Sequence, residues 1–113
     1  MGCNASLIRV PLSEIGNREL LPDGAEDVTV FCNPRAEVRR NMSASVSFDG
    51  GKTWAFAKTV YEGPASYSSL VFSQKDQTFY LMYEKGTDTD PEKNPCSLGI
   101  GVAEFDLEWL LAK

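Results

Sequence analysis

One residue type that performs much enzymatic chemistry is absent from this 113-residue chain. It contains no histidine, which excludes imidazole-based zinc sites and the Ser-His-Asp mechanism. The three cysteines, Cys3, Cys32 and Cys96, are odd in number and widely spaced, so we predict buried free thiols and neither a disulfide framework nor a zinc knuckle. The net charge of -5 argues against a nucleic-acid partner, which would require a basic surface.

Residues 47–54 form the most specific local motif. They read SFDGGKTW and match the Asp-box pattern S-x-D-x-G-x-x-W. Asp49 can accept hydrogen bonds from backbone N–H groups of a hairpin turn, the two glycines after it allow positive φ, and Trp54 is expected to pack between strands. We therefore interpret Ser47, Asp49, Gly51 and Trp54 as residues that hold a turn and perform no chemistry.

Short runs of alternating apolar and polar residues, separated by Gly, Pro, Asn and Asp, are typical of an all-β protein. The predicted strands are 5–10, 28–33, 41–48, 57–61, 67–72, 78–84 and 98–105. Long loops are predicted at 11–27 and 86–97. The tail predicts a short helix with Asp106 as its N-cap, whose Leu107, Leu110 and Leu111 pack back on the sheet.

Two features suggest that these strands form stacked sheets. Residues 79–83 are apolar on both faces of a strand, which requires cover on both sides. Residues 5–8 also resemble 68–71, and each segment precedes another strongly apolar strand. The strands then fall into a set of four and a set of three, the pattern of β-propeller blades.

Several segments in order make the chain resemble the C-terminal blades of bacterial and animal exo-α-sialidases (neuraminidases). These segments are 3–9, 39–43, 58–70, 81–84 and 105–110, with the Asp-box between the second and third. The resemblance implies part of a six-bladed Asp-box (BNR-repeat) propeller. We expect an all-β fold of about two four-stranded antiparallel blades and a short C-terminal helix, with 3–62 one blade and 63–113 a second, incomplete blade plus the helix.

The same resemblance implies three site residues. Tyr67 matches the family's nucleophile, a neutral phenol that is not repelled by the carboxylate on the anomeric carbon of sialic acid. Arg39 matches the third arginine of a triad that grips this carboxylate, with Arg35 and Arg40 as neighbouring candidates. Glu84 matches the acid that orients another triad arginine. No metal and no organic cofactor are implied.

The resemblance also implies what this chain lacks. The family's general acid/base Asp, the Glu that activates the tyrosine and the first two triad arginines fall upstream of residue 1. Because such groups act as a unit, the isolated chain is expected to be inactive on sialosides. The alternative function is a non-catalytic propeller fragment that serves as a binding or self-assembly module.

Expected partners follow from these two interpretations. Exposed blade faces predict a homo-oligomer (trimer or dimer) or association with an N-terminal sialidase fragment, and a sialoglycan would be the ligand. The first residues show neither a basic leader nor an apolar stretch, so no signal peptide is predicted. With no apolar run near the ~20 residues of a membrane span, we expect a soluble chain.

Overall fold

Six strands and one helix make up the computed structural model, which describes residues 5–34, 40–85 and 99–112. The elements are β1 (Ser6–Pro11), β2 (Asp27–Pro34), β3 (Arg40–Ser47), β4 (Phe56–Ser73), β5 (Thr78–Lys85), β6 (Gly99–Phe105) and α1 (Leu107–Leu111). Two 3-10 turns, Leu12–Glu14 and Arg18–Leu20, lie in the predicted loop between β1 and β2. The predicted loop 86–97 lies outside the described residues.

The strands form two antiparallel sheets that share β4. The first sheet has the order β1-β2-β3-β4, and the second has the order β4-β5-β6. The first half of β4 pairs with β3 as far as Pro64, and the second half pairs with β5 from Ala65 onward. The first sheet therefore has four strands and the second has three.

The continuity of β4 corrects the predicted strands 57–61 and 67–72, which are parts of one 18-residue strand. The residues between them include Gly63, whose φ of 135° is strained for a side-chain-bearing residue. Register shifts also occur on both sides of the transition. Glycine and bulges let one strand change sheets with only local interruptions in its pairing, a solution that a two-residue alternation cannot indicate.

The core lies between the two sheets and is closed at one end by α1. The fully buried first-sheet side chains are Val28, Val30, Cys32, Met42, Ala44 and Val46. The second sheet contributes Leu70, Phe79, Leu81, Tyr83 and Phe105, and α1 contributes Leu107 and Leu110. Phe79 has its ring centroid 4.8 Å from Phe72 and 5.3 Å from Phe105, so three aromatic rings pack together in the second sheet.

The second face of β5 is open. Phe79 and Leu81 are buried, whereas Met82 on the opposite face is 53% exposed. It lies among Val71 (56%), Ile100 (59%) and Val102 (62%), and we call these four residues the outer apolar patch. The sequence predicted a strand that requires cover on both faces, and the described residues cover one of them.

Helix α1 begins as predicted. The Asp106 carboxylate accepts a hydrogen bond from the Trp109 N–H at 2.8 Å, and Leu107 and Leu110 are buried. The Lys58 ammonium donates to the Trp109 carbonyl at 2.6 Å and lies 4.5 Å from its ring centroid, which ties α1 to β4. The described part of the chain has no helix with the length and apolarity needed to span a membrane.

Candidate functional site

Tyr67 and Glu84 lie at the same end of the second sheet, although 17 residues separate them in sequence. Tyr67 precedes Ser68, which pairs with Tyr83, and Glu84 follows Tyr83 on β5. The Tyr67 backbone N–H donates to Glu84 Oε1 at 3.4 Å, a long hydrogen bond. Tyr67 is 43% exposed, so a ligand can reach it, and the bond joins its backbone to the Glu84 carboxylate.

The arginine that the sequence predicted for this site cannot be placed in the fold. Arg39 and its alternative Arg35 lie outside the described residues. Arg40, the other alternative, begins β3 and pairs with Pro64, just before β4 enters the second sheet. This end of β3 is therefore the end of the sheets at which β4 approaches Tyr67.

An aromatic pair that the sequence did not single out supports this end of the sheet. The ring centroids of Tyr61 and Tyr83 are 5.3 Å apart. A Cβ on Gly101 would lie 2.6 Å from Tyr83 Cζ, so β6 has a glycine where the ring approaches its backbone. Burial, with a smaller effect of Tyr61, raises the pKa of Tyr83 above its usual value. A glycine inside a predicted strand was the available signal for this close approach.

The first strands of the two sheets are also joined at this end. Ser6 Oγ on β1 and Ser68 Oγ on β4 are 2.7 Å apart and hydrogen-bonded. Since Ser68 follows Tyr67, this bond restrains the backbone that carries the tyrosine. Neither serine was predicted as a site residue.

The Asp-box residues lie in the turn between β3 and β4. Asp49 Oδ1 accepts from Ser47 Oγ at 2.7 Å and from the Thr53 N–H at 2.9 Å, while Oδ2 accepts from Thr53 Oγ1 at 2.6 Å. The Thr53 hydroxyl, then the Thr53 N–H and the Ser47 hydroxyl, lower the pKa of Asp49 to about 2. Gly50 and Gly51 have φ of 72° and 91°, the positive values that the sequence predicted.

This turn and Tyr67 lie at opposite ends of the sheets. β3 runs eight residues from the end near Tyr67 to the turn, about 23 Å at strand rise, so the turn residues are remote from Tyr67. Trp54 does not pack between strands as predicted. It is 44% exposed, with its ring centroid 5.9 Å from that of Phe31 on β2. The physical reason is that Trp54 follows the turn and lies over the outside of the first sheet.

A buried carboxylate that the sequence did not indicate joins this turn to β2. Asp27 is 1% exposed and accepts hydrogen bonds from Arg9 Nε at 2.5 Å and from Thr29 Oγ1 and the Gly50 N–H, both at 3.2 Å. Burial alone would raise its pKa, but the Arg9 guanidinium, the Gly50 N–H and the Thr29 hydroxyl bring the pKa below its usual value. β1, β2 and the turn between β3 and β4 therefore each donate a hydrogen bond to the Asp27 carboxylate.

Open clefts also occur elsewhere on the described residues. One, of about 180 Å³, lies beside α1 and the turn after β4, and the other, of about 270 Å³, lies over Asn41, Ser43 and Thr59. Neither is lined by Tyr67 or Glu84. Within residues 5–34, 40–85 and 99–112, no group of three or more Cys, Asp or Glu side chains is placed to hold a metal ion.

Comparison with known proteins agrees with the fold. No family model matches the chain. Over 109 residues it is 33% identical to a sialidase of Micromonospora viridifaciens, and the match covers 95% of this chain and 14% of that sialidase. The chain is sialidase-like. Among solved structures it resembles the Hadza microbial sialidase Hz136, with a TM-score of 0.69, 28% identity, and coverage of 96% of this chain and 18% of that one.

The antiparallel strands and the match to a solved sialidase confirm the predicted all-β fold. The two antiparallel sheets of four and three strands and the short C-terminal helix resemble part of a solved sialidase. The chain spans less than a fifth of the length of either relative. The activity of a whole sialidase is therefore a proposal for this chain.

Proposed function

We propose that this chain provides the nucleophile side of a sialidase active site, with Tyr67 as the nucleophile. The observation that carries the proposal is the hydrogen bond between the Tyr67 backbone and Glu84, which joins the two predicted residues at one end of the second sheet. The comparisons support the proposal because the chain is sialidase-like over nearly its whole length. The substrate is a glycan with a terminal sialic acid.

The chemistry of this substrate favours a phenol. Sialic acid has a carboxylate on its anomeric carbon, which would repel an aspartate or glutamate nucleophile. The Tyr67 oxygen forms a bond to the anomeric carbon as the bond to the leaving sugar oxygen breaks. Water then replaces the tyrosine, with overall retention. The general acid that protonates the leaving oxygen and the base that activates Tyr67 are provided by residues outside this chain.

The two remaining predicted residues hold charges. Arg39 pairs with the sialic acid carboxylate through its guanidinium fork, a charge-assisted contact that contributes roughly 1.5–3 kcal/mol. Glu84 keeps one carboxylate near Tyr67 and orients a second arginine provided by other blades. The partly buried position of Glu84 and its bond to the Tyr67 N–H support this role, because both restrict its side chain.

Titration of the 15N-labelled chain with free sialic acid tests the site. We expect a Kd around millimolar, amide shifts centred on Tyr67 and Glu84, and binding at least about tenfold weaker in Arg39→Ala. Arg18→Ala, in an exposed 3-10 turn, is the matched control, and N-acetylglucosamine is the ligand control without a carboxylate. Micromolar binding that Arg39→Ala leaves unchanged would show that the site is misplaced.

Turnover of a fluorogenic sialoside tests whether the chain needs catalytic residues from outside it. The 113-residue chain is expected to show no hydrolysis above buffer, because the proposal assigns the acid and base to residues outside it. Robust turnover that disappears in Tyr67→Phe would contradict this expectation and show that the chain, or an assembly of its copies, is catalytically complete.

A second candidate function is a non-catalytic binding or self-assembly module. The exposed outer apolar patch favours it, because four large apolar side chains on one sheet face are typical of an interaction surface. An upstream reading frame that encodes the remaining blades would favour the enzyme. Sialic acid binding with no response to Arg39→Ala or Glu84→Gln would favour the module.

A further inference from the structure

A cleft of about 180 Å³ lies beside α1, and we call it the α1 cleft. Its walls come from three segments, namely the loop between β1 and β2, the turn between β4 and β5, and the start of α1. Phe72, which lines it, is five residues beyond Tyr67 on β4, about 17 Å at strand rise. The α1 cleft is therefore separate from the proposed sialoside site.

Hydrogen bonds between these segments hold the walls of the α1 cleft in place. Gln77 has a φ of 54°, a left-handed conformation that is strained for a residue with a side chain. Its Nε2 donates to the Glu14 carbonyl at 2.8 Å and to the Gln74 carbonyl at 2.7 Å. Its Oε1 accepts from the Gly16 N–H at 2.8 Å. The Gln77 side chain thus joins the turn to the loop, and the cleft is formed without a ligand.

The buried part of the α1 cleft is apolar and its rim is acidic. Ile15 and Leu107, both buried, and the half-buried Phe72 provide the apolar surface. The carboxylates on the lining are all exposed and belong to Asp76, Asp106 and Glu108. Among the described residues no lysine or arginine lines the cleft. A complementary occupant therefore combines an apolar stem with a positive charge.

The rim carboxylates retain oxygens that can accept hydrogen bonds. Asp76 Oδ2 accepts from two hydroxyls, both at 3.3 Å, and Asp106 Oδ1 accepts from the helix N–H that it caps. The second oxygen of each, and both oxygens of Glu108, accept no hydrogen bond from a described residue. Arg18 and Lys75 flank lining residues in sequence, but neither forms an ion pair within the described part of the chain.

These oxygens favour one kind of cation. A bidentate pair with an arginine guanidinium requires both oxygens of one carboxylate. Asp76 and Asp106 each offer one oxygen, which is sufficient for the compact ammonium of a lysine. A metal ion is a poorer occupant, because no three acidic side chains of the described residues are grouped closely enough to hold one. The rim is therefore suited to an ammonium group.

We propose that the α1 cleft binds a lysine side chain of a partner protein. The methylene stem of the lysine covers the apolar surface, and its ammonium meets the free oxygens at the rim. The cleft is smaller than the roughly 300–1,000 Å³ of small-molecule sites, and it is open to solvent, so one side chain enters while the partner's backbone stays outside. The net charge of -5 favours the approach of a basic partner surface.

Titration of the 15N-labelled chain with N-acetyl-lysine N-methylamide tests the site. We expect a Kd around millimolar, with amide shifts centred on Gln77 and Leu107. The norleucine analogue has the same stem without the charge and should bind at least about threefold more weakly. Equal binding of the two ligands, or no saturable shift at tens of millimolar, would overturn the proposal. The outcome is independent of sialic acid binding, since Tyr67 lies at the other end of the sheet.

A variant tests the role of the rim. Asp76→Asn keeps an oxygen for the two hydroxyls but removes the charge, and it should weaken binding of the lysine ligand at least about threefold. Glu62→Gln is the matched control, because it removes an exposed acid near the other end of β4 and should leave the Kd unchanged. Equal Kd values for Asp76→Asn and Glu62→Gln would show that the rim carboxylate does not hold the ammonium.

Two further ligands test the identity of the occupant. N-acetyl-arginine N-methylamide should bind more weakly than the lysine ligand, because Asp76 and Asp106 cannot each accept both arms of a guanidinium. Butylamine has the stem and the ammonium without the peptide groups, and it should bind no more tightly than the lysine ligand. Tighter binding of the arginine ligand would contradict the choice of lysine. Tighter binding of butylamine would identify a free amine, and not a partner protein, as the occupant.

Discussion

Replacing Gly101 by alanine tests how tightly the aromatic pair beneath the candidate site is packed. The new Cβ would lie 2.6 Å from Tyr83 Cζ and 2.8 Å from its Oη, about 1 Å closer than an ordinary carbon contact. Tyr83 is buried and its ring lies against Tyr61, so the ring cannot simply move away. Overpacking of this kind costs about 1–3 kcal/mol, and we expect about 2 kcal/mol.

Urea unfolding followed by circular dichroism measures this cost. With an m-value of about 2 kcal/mol/M, the midpoint should fall by about 1 M. Gly99→Ala is the matched control on the same strand, because a Cβ there has nothing within 4 Å. It should be neutral or stabilising by about 0.5 kcal/mol, since alanine loses less backbone entropy than glycine.

Two results would refute the packing argument. One is equal stability of Gly101→Ala and Gly99→Ala. The other is a cost for Gly101→Ala that persists when Tyr83 is also alanine, since removal of the ring should remove the clash. The amide signals of Ser68 and Glu84 provide a local readout, because both residues neighbour Tyr83 in the sheet. They should shift in Gly101→Ala and remain in place in Gly99→Ala.

Three further predictions concern buried and hydrogen-bonded groups. Asp27→Asn should lower the free energy of unfolding by about 2 kcal/mol in urea titration, because it removes the charge that Arg9 pairs with, whereas exposed Asp23→Asn should stay within about 0.5 kcal/mol. The pKa of Asp49 is depressed to about 2, so its stabilisation is complete above the usual value of 3.8 and is lost as pH falls toward 2. Asp49→Asn should therefore reduce the slope of stability against pH in this window, and an unchanged slope would contradict it. Burial raises the pKa of Cys32 to about 12, so peptide-resolved thiol labelling at pH 8 should modify it only after unfolding.

Local sequence patterns were sufficient to locate most elements. The predicted strand 41–48 differs from β3 by one residue at each end, and the predicted helix begins after Asp106 as observed. Both rest on interactions between residues close in sequence, namely the alternation of side chains along a strand and the capping of a helix N-terminus. The positive φ values of Gly50 and Gly51 were predictable for the same reason.

The sequence did not reveal the bonds between distant segments. Asp27 has no motif around it, yet its carboxylate forms a salt bridge with Arg9 and accepts a hydrogen bond from the Gly50 N–H, 23 residues away. The continuity of β4 was missed because a bulged strand lacks a regular period. Trp54 was placed between strands from its motif alone, whereas its position depends on Phe31 in another strand.

The sequence by itself located most of the strands, the turn and the helix, and its resemblance to sialidases predicted Tyr67, Glu84 and Arg39 as site residues. Only the tertiary structure decided that Tyr67 and Glu84 meet, that Gly101 makes room for Tyr83 and that one face of β5 stays open. The physical reason is that alternation assigns side chains to two faces of a strand, whereas burial and pairing depend on which distant segment covers each face and edge.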